Sequence, residues 1–180
     1  IGREEGIPVC YYVAPQVWAS RPWRVKKIAA CVDTLCCILP FEEEYFRQRS
    51  VHAVYVGHPM FDHPPDPDPP PLEPPLPGQK EGDGPRIAIF PGSRRGEVSV
   101  NMPPMLAVLS EIKGRFPRAV AVAAAPSEER AWQMRHLLRT ANQPVDIRVG
   151  HGDDIIHWAD LVLTKSGTIT LQVARQGRPM

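Results

Sequence analysis

Two stretches of this sequence carry side chains suited to holding an anion. The first is Ile87-Ala88-Ile89-Phe90-Pro91-Gly92-Ser93-Arg94-Arg95-Gly96-Glu97. An apolar run ends in a Pro-Gly-Ser turn, and a helix is expected just after it. Gly92 and Gly96 would let backbone approach a ligand closely. The Ser93 hydroxyl can donate to a phosphate oxygen, and the Arg94 guanidinium can pair with one in a bidentate fork. The second stretch is Leu161-Val162-Leu163-Thr164-Lys165-Ser166-Gly167-Thr168-Ile169-Thr170, with the same order of strand, small polar turn and helix. Free N–H groups at a helix start attract anions. The first stretch is not a P-loop, because GxxxxGK[ST] is absent, and it does not contain GxGxxG. Each alone also fits an ordinary strand–turn–helix junction. Two such turns in one βαβ segment favour a shared pocket at the C-terminal edge of a sheet, where α/β proteins bind ligands.

Gln16-Val17-Trp18-Ala19-Ser20-Arg21-Pro22-Trp23-Arg24-Val25-Lys26-Lys27 holds four basic residues, two tryptophans and no acid. That mixture suits a lipid headgroup interface or a phosphorylated ligand. A solvated helix start with tryptophan in the core fits it equally well. His58, in Val56-Gly57-His58-Pro59, closes a strand and is placed to touch a ligand between domains, although a lone histidine is more often structural. Glu42-Glu43-Glu44 reads as the solvated first turn of a helix, not as a catalytic carboxylate pair. No Ser/His/Asp order can be argued. The cysteines at 10, 31, 36 and 37 show no CxxC spacing. They read as reduced thiols in apolar segments, which argues against a metal site and suits a cytoplasmic protein.

The elements that must position these residues alternate between strand and helix. Strands are expected at Val9–Val13, Thr34–Leu39 and His52–Val56, with helices at Pro22–Val32 and Phe41–Arg49 between them. A second series has strands at Arg86–Phe90, Arg118–Ala124, Val145–Val149 and Asp160–Thr164. Its helices are expected at Glu97–Lys113, with Pro103 and Pro104 kinking its start, at Ser127–Arg139, at Asp153–Trp158, and from Thr168. Ser127 is a plausible N-cap, and Glu128 and Glu129 suit the first turn's dipole. This alternation implies an α/β protein with parallel sheets. Between the two series, nine of the fourteen residues from Pro64 to Pro77 are proline. Proline lacks the N–H and fixes φ, so this stretch reads as an extended polyproline-II spacer. The expected boundaries are 1–63, a linker at 64–85, and 86–180.

Composition narrows the class. The chain has 180 residues, 43% of them apolar, which is too many for a disordered chain. Its formal net charge of +1 gives no support to nucleic-acid binding. The linker region carries net −4 and residues 86–180 carry net +5, a weak bias of the last segment toward anions. The longest apolar stretch, Ile28 to Phe41, is interrupted at Asp33 and Thr34, short of the ~20 residues that span a bilayer. Residue 1 is Ile, and the sequence is expected to be a cut from a longer protein.

Together the motifs carry a resemblance. Tyr12-Val13-Ala14-Pro15-Gln16-Val17-Trp18-Ala19 is followed by Arg24-Val25-Lys26-Lys27-Ile28 and Leu39-Pro40-Phe41-Glu42. Then come Tyr55-Val56-Gly57-His58-Pro59, Phe90-Pro91-Gly92-Ser93-Arg94 with Glu97, and Ser166-Gly167-Thr168. In this order and spacing the set resembles the lipid-A-disaccharide synthases, cytoplasmic-face glycosyltransferases of lipopolysaccharide synthesis. The resemblance runs from about Val9 to His63 and from Arg86 to Met180, and leaves out the Pro-rich stretch.

The resemblance implies a GT-B architecture, two Rossmann-like domains facing a cleft. Residues 1–63 would be the later part of the N-terminal, acceptor-side domain, and residues 86–180 the first part of the C-terminal, donor-side domain. The implied reaction joins UDP-2,3-diacylglucosamine to 2,3-diacylglucosamine 1-phosphate, inverts the anomeric centre and releases UDP, with no metal or cofactor. Donor-binding residues would be Ser93, Arg94, Glu97, Ser166, Gly167, Thr168 and Gln172, the last standing where the family usually carries Glu. Trp18, Arg21, Trp23, Arg24, Lys26 and Lys27 would face the acceptor or the inner face of the cytoplasmic membrane, with the protein peripheral to it. Ser20 replaces a usual aromatic there. The implied general base is an aspartate upstream of Tyr12-Val13-Ala14-Pro15, before Ile1, so the chain is expected to be inactive alone. The resemblance is compatible with an oligomer. Rival readings are another UDP-sugar GT-B enzyme, such as a UDP-GlcNAc 2-epimerase or the peptidoglycan glycosyltransferase, and a non-catalytic nucleotide- or lipid-binding remnant.

Overall fold

Strands buried on both faces need near-continuous apolar runs, and Arg86–Phe90 and Val120–Ala125 supply them. In the computed structural model, which describes residues 5–62, 76–77, 84–141 and 144–180, these become β4 and β5 of the second of two parallel sheets. The chain divides into two compact units, Ile1–Pro64 and Pro65–Met180.

The first unit holds β1 (Cys10–Tyr12), α1 (Val17–Ser20), α2 (Val25–Cys31), β2 (Thr34–Cys37), α3 (Pro40–Arg47) and β3 (Ala53–Tyr55). Its sheet runs in the order β1-β2-β3, all parallel. Val17, Val25, Ile28, Leu35, Phe46 and Ala53 form the core between sheet and helices. The expected helix Pro22–Val32 is instead a tight 3-10 turn, Pro22–Arg24, followed by α2. The expected solvated turn at Glu42 is also corrected. Glu42 is fully buried, with Oε1 accepting from Trp18 Nε1 at 3.0 Å and Oε2 accepting from the Leu39 N–H at 3.1 Å. A carboxylate with two such donors can be buried because its charge is hydrogen-bonded.

The second unit adds β4 (Arg86–Phe90), α4 (Arg95–Arg115), β5 (Val120–Ala125), α5 (Glu128–Ala141), β6 (Asp146–Val149), α6 (Gly152–Trp158), β7 (Leu161–Thr164) and α7 (Thr168–Arg175). Side-chain alternation along the strands sorts the core into two layers. Ile87, Ile89, Ala121 and Ala123 pack with Leu109 of α4 and Met134 of α5. Ala88, Phe90, Val122 and Ala124 pack instead with Ile155 of α6 and Val173 of α7. Ser127 caps α5 as expected, its hydroxyl accepting from the Arg130 N–H at 3.3 Å. Pro103 and Pro104 fall in the middle of α4 rather than at its start. Each removes the N–H that would meet the carbonyl four residues back.

Strand order is what places the site. The parallel sheet runs β6-β5-β4-β7. The chain therefore leaves β4 in one direction through β5 and β6, then returns to the other side of β4 as β7. In doubly wound sheets such a reversal opens a crevice at the carboxyl ends of the two strands. At their opposite ends the strands are stapled. Arg86 Nη2 lies 2.7 Å from Asp160 Oδ1, and Arg86 Nε and backbone N–H donate to Oδ2 at 3.1 and 2.9 Å.

The Pro-rich spacer is corrected in part. Leu76 is buried among the α6-side core residues, and Trp158 Nε1 donates to the Pro77 carbonyl at 3.0 Å. That pair is docked on the second unit, while residues 64–75 and 78–83 lie outside the described residues.

Candidate functional site

The crevice between the ends of β4 and β7 holds a cavity of about 520 Å³. The turn after β4 contributes Gly92, Ser93 and Arg94, with Glu97 from the first turn of α4. The turn after β7 contributes Lys165, Gly167 and Thr168, with Gln172 from α7. Ala124 to Pro126, Gly150 and Gly152 close a third side. Six of the seven residues expected at a donor site therefore line one cavity. Ser166 is exposed beside it and does not line it.

Glu97 organises the β4 side. Its Oε2 accepts from the Ser93 N–H at 3.0 Å and the Arg94 N–H at 3.2 Å. Its Oε1 accepts from Arg94 Nη1 at 3.2 Å and Lys165 Nζ at 3.0 Å. The Lys165 ammonium and the Arg94 N–H are the main causes that hold the Glu97 carboxyl down to about 2. Gly92 adopts φ +125°, and a Cβ there would lie 2.6 Å from Glu97 Cβ and 2.7 Å from Oε2. Only glycine meets both conditions, the positive φ and the close approach.

The β7 side is built differently. The N-cap of α7 is Gly167, and no side chain caps it. The Thr170 N–H turns back to the Gly167 carbonyl at 3.0 Å, which leaves the N–H groups of Thr168 and Ile169 for water or an anion. At α4 the equivalent position is already filled by the Glu97 carboxylate.

Sequence reasoning passed over two contributors. Lys165, between the β7 strand and the Ser166-Gly167-Thr168 turn, lines the cavity and reaches Glu97. The turn Val149-Gly150-His151-Gly152 also reaches the cavity rim, with φ +74° at Gly150 and +55° at His151. Two glycines around a histidine directly after an expected strand were the available signal.

The other expected positions lie in the first unit. Arg21, Arg24, Lys26 and Lys27 are exposed, and Trp23 is 68% exposed. Trp18 is half-buried, its indole N–H held by Glu42 and its ring set edge-on to Phe41 at 5.0 Å. His58 Nδ1 accepts from the Met60 N–H at 3.1 Å, capping a short 3-10 turn. Val13, at the end of β1, takes φ +68°, a costly conformation for a β-branched residue. Among the described residues, no group of three His, Cys, Asp or Glu side chains is placed to hold a metal ion.

Comparison with known proteins bears on the whole chain. The model of the family described as lipid-A-disaccharide synthetase matches residues 3–180. The lipid-A-disaccharide synthase of Anaeromyxobacter sp. (strain K) is 39% identical over 186 residues, covering 99% of this chain and 46% of that protein. That of Paraburkholderia phymatum is 38% identical over 190 residues, with the same coverage. The chain thus spans about half the length of the curated relatives it matches. Among solved structures, an aspartate transcarbamoylase from Trypanosoma cruzi aligns at a TM-score of 0.26 and 10% identity, covering 99% of this chain and 72% of that one, too slight a likeness to bear on the fold.

The Glu97 geometry has a pH signature. Its folded carboxyl value, about 2, lies below the ordinary 4.5. Ionised Glu97 therefore favours the folded state fully above pH 4.5, and that contribution fades as pH falls toward about 2. Over this window the unfolding midpoint of the wild type should fall more steeply than that of Glu97→Gln. Parallel curves would show that the carboxylate is not held as described.

Proposed function

We propose a function from one plain premise: the chain belongs to the lipid-A-disaccharide synthetase family. It forms part of a longer glycosyltransferase that moves 2,3-diacylglucosamine from UDP-2,3-diacylglucosamine to 2,3-diacylglucosamine 1-phosphate, with inversion and release of UDP. The observation that carries this reading is the cavity at the β4–β7 reversal, where a cationic turn and an uncapped helix start converge.

The chemistry follows from what leaves. As the acceptor hydroxyl displaces UDP, negative charge builds on the departing diphosphate. Fixed donors and cations aimed at that charge lower the barrier, and such stabilisation is usually the largest single contribution. Arg94, the Ser93 hydroxyl and the N–H groups that open α7 are among the groups this chain offers. The half of the cavity lined by Phe90, Ala124, Ala125 and Ile169 is apolar and suits the flat uracil ring. Gln172 can hydrogen-bond ribose hydroxyls without adding negative charge beside the diphosphate.

In this reading residues 1–63 are the later part of the acceptor-side domain and residues 86–180 the first part of the donor-side domain, in a GT-B architecture. Two observations support it. The second unit has the strand order of half a doubly wound sheet. In the first, β1 is exposed along its length, whereas parallel sheets are ordinarily covered on both faces. The general base, an aspartate, is then supplied from outside this chain, and the chain alone is inactive.

Membrane contact fits the first unit. Exposed Trp23 among Arg21, Arg24, Lys26 and Lys27 suits an anionic headgroup layer at the inner face of the cytoplasmic membrane. No described helix is long and apolar enough to cross a membrane, which fits peripheral attachment.

Two measurements on a full-length protein containing this chain test the reading. Arg94→Ala should lower turnover by roughly 100-fold or more, the cost of losing one donor to a developing anion; near-normal kinetics would sink the donor-site assignment. Replacing Arg21, Arg24, Lys26 and Lys27 together by Gln should weaken cosedimentation with anionic vesicles, and unchanged sedimentation would reject the membrane-facing role.

A further inference from the structure

We propose that Lys165 is a second cation for the ligand's diphosphate, and that Glu97 is the positioning residue that aims both Lys165 and Arg94 at it. This rests on the donor-site reading above and deepens it.

Three observations carry the proposal. The two cations come from different turns, one after β4 and one after β7, yet both reach the same carboxylate oxygen, Oε1 of Glu97, at 3.2 and 3.0 Å. The strand reversal therefore brings them together where neither turn alone could. Lys165 also lines the cavity with its side chain 32% exposed, and Glu97 is its one ion-pair partner among the described residues. An ammonium has three donors. One is spent on Glu97, and two remain for a ligand.

The state of Glu97 is the third. A carboxylate offers about four lone-pair sites, and four donors meet this one: two backbone N–H groups, Arg94 and Lys165. Such a group has no acceptor capacity left for a ribose or an acceptor hydroxyl. What it can do is fix the turn and the cations. With Arg94, Lys165 and Glu97 taken together, the cluster keeps net +1 beside an uncapped helix start. A diphosphate answers that arrangement better than a single phosphate, because it has oxygens enough to reach both turns at once.

The test compares UDP with uridine, which shares the base and ribose and lacks the phosphates. Both are titrated calorimetrically into the full-length protein, in wild type, Lys165→Met, Lys165→Arg and Glu97→Gln forms. Lys165→Met should weaken UDP about 10- to 100-fold, the worth of one charged hydrogen bond. Uridine should change by less than about threefold, as for an ordinary surface substitution. Lys165→Arg should recover most of the loss. Glu97→Gln should lower the UDP-to-uridine ratio in the same direction as Lys165→Met. Equal losses for UDP and uridine would mean that Lys165 only holds the turn, and would overturn the proposal, as would unchanged UDP binding in Lys165→Met. Tighter UDP binding in Glu97→Gln would make Glu97 a competitor of the ligand rather than its organiser. A wild type that binds UDP no better than uridine would instead sink the donor-site reading itself.

Discussion

The Glu97 carboxylate is the interaction on which the cavity edge of the second unit depends. It sits in the first turn of α4, where it satisfies N–H groups that the helix start leaves open. It also reaches across the strand reversal to Lys165. One group thus caps a helix, shapes the Pro91-Gly92-Ser93-Arg94 turn and ties β4's loop to β7's. The requirement for glycine at 92 follows from it, because any Cβ would occupy the space the carboxylate needs. Its low pKa follows as well, since every neighbour within hydrogen-bond reach is a donor.

The carboxylate can act this way only because the sheet delivers the two turns to one place. Alternation along β4 and β5 buries one set of side chains under α4 and α5 and the other under α6 and α7. With both faces covered, ligands are left the strand ends. The Arg86–Asp160 fork closes the amino-terminal ends of β4 and β7, while the reversal opens the carboxyl-terminal ends. Charge then divides between the two turns. The β4 turn carries Arg94 and is fixed by the Glu97 carboxylate, and the β7 turn carries Lys165 and opens a helix that no side chain caps.

Local patterns carried most of the fold. Each expected strand of the second unit appears within a residue or two, because β4, β5 and β7 hold short apolar runs and β6 alternates charged and apolar residues ahead of Gly150. Ser127 was recognisable as a cap because capping is chemistry between near neighbours. What escaped depends on partners far away in the chain. Glu42 belongs to a run of three glutamates and so reads as solvated; only the arrival of Trp18, 24 residues earlier, makes its burial tolerable. Lys165 gains its meaning from Glu97, 68 residues away. Leu76 lies in a proline run that reads as spacer, yet the surface under α6 has a place for it. Pro103 and Pro104 mislead in another way. Two prolines read as a kink at the helix start, but α4 begins at Arg95 and carries them in its middle, with Met102 and Leu106 beside them packed in the core. The family resemblance was legible because most of its motifs sit at strand ends, where turn geometry restricts the residues.

The most direct measurement is a crystal structure of the full-length protein with UDP bound. The expected result has diphosphate oxygens within hydrogen-bond distance of Arg94 and Lys165 and at the start of α7, with Glu97 still holding both cations. A diphosphate that touches neither cation, or that binds away from the β4–β7 reversal, would contradict it.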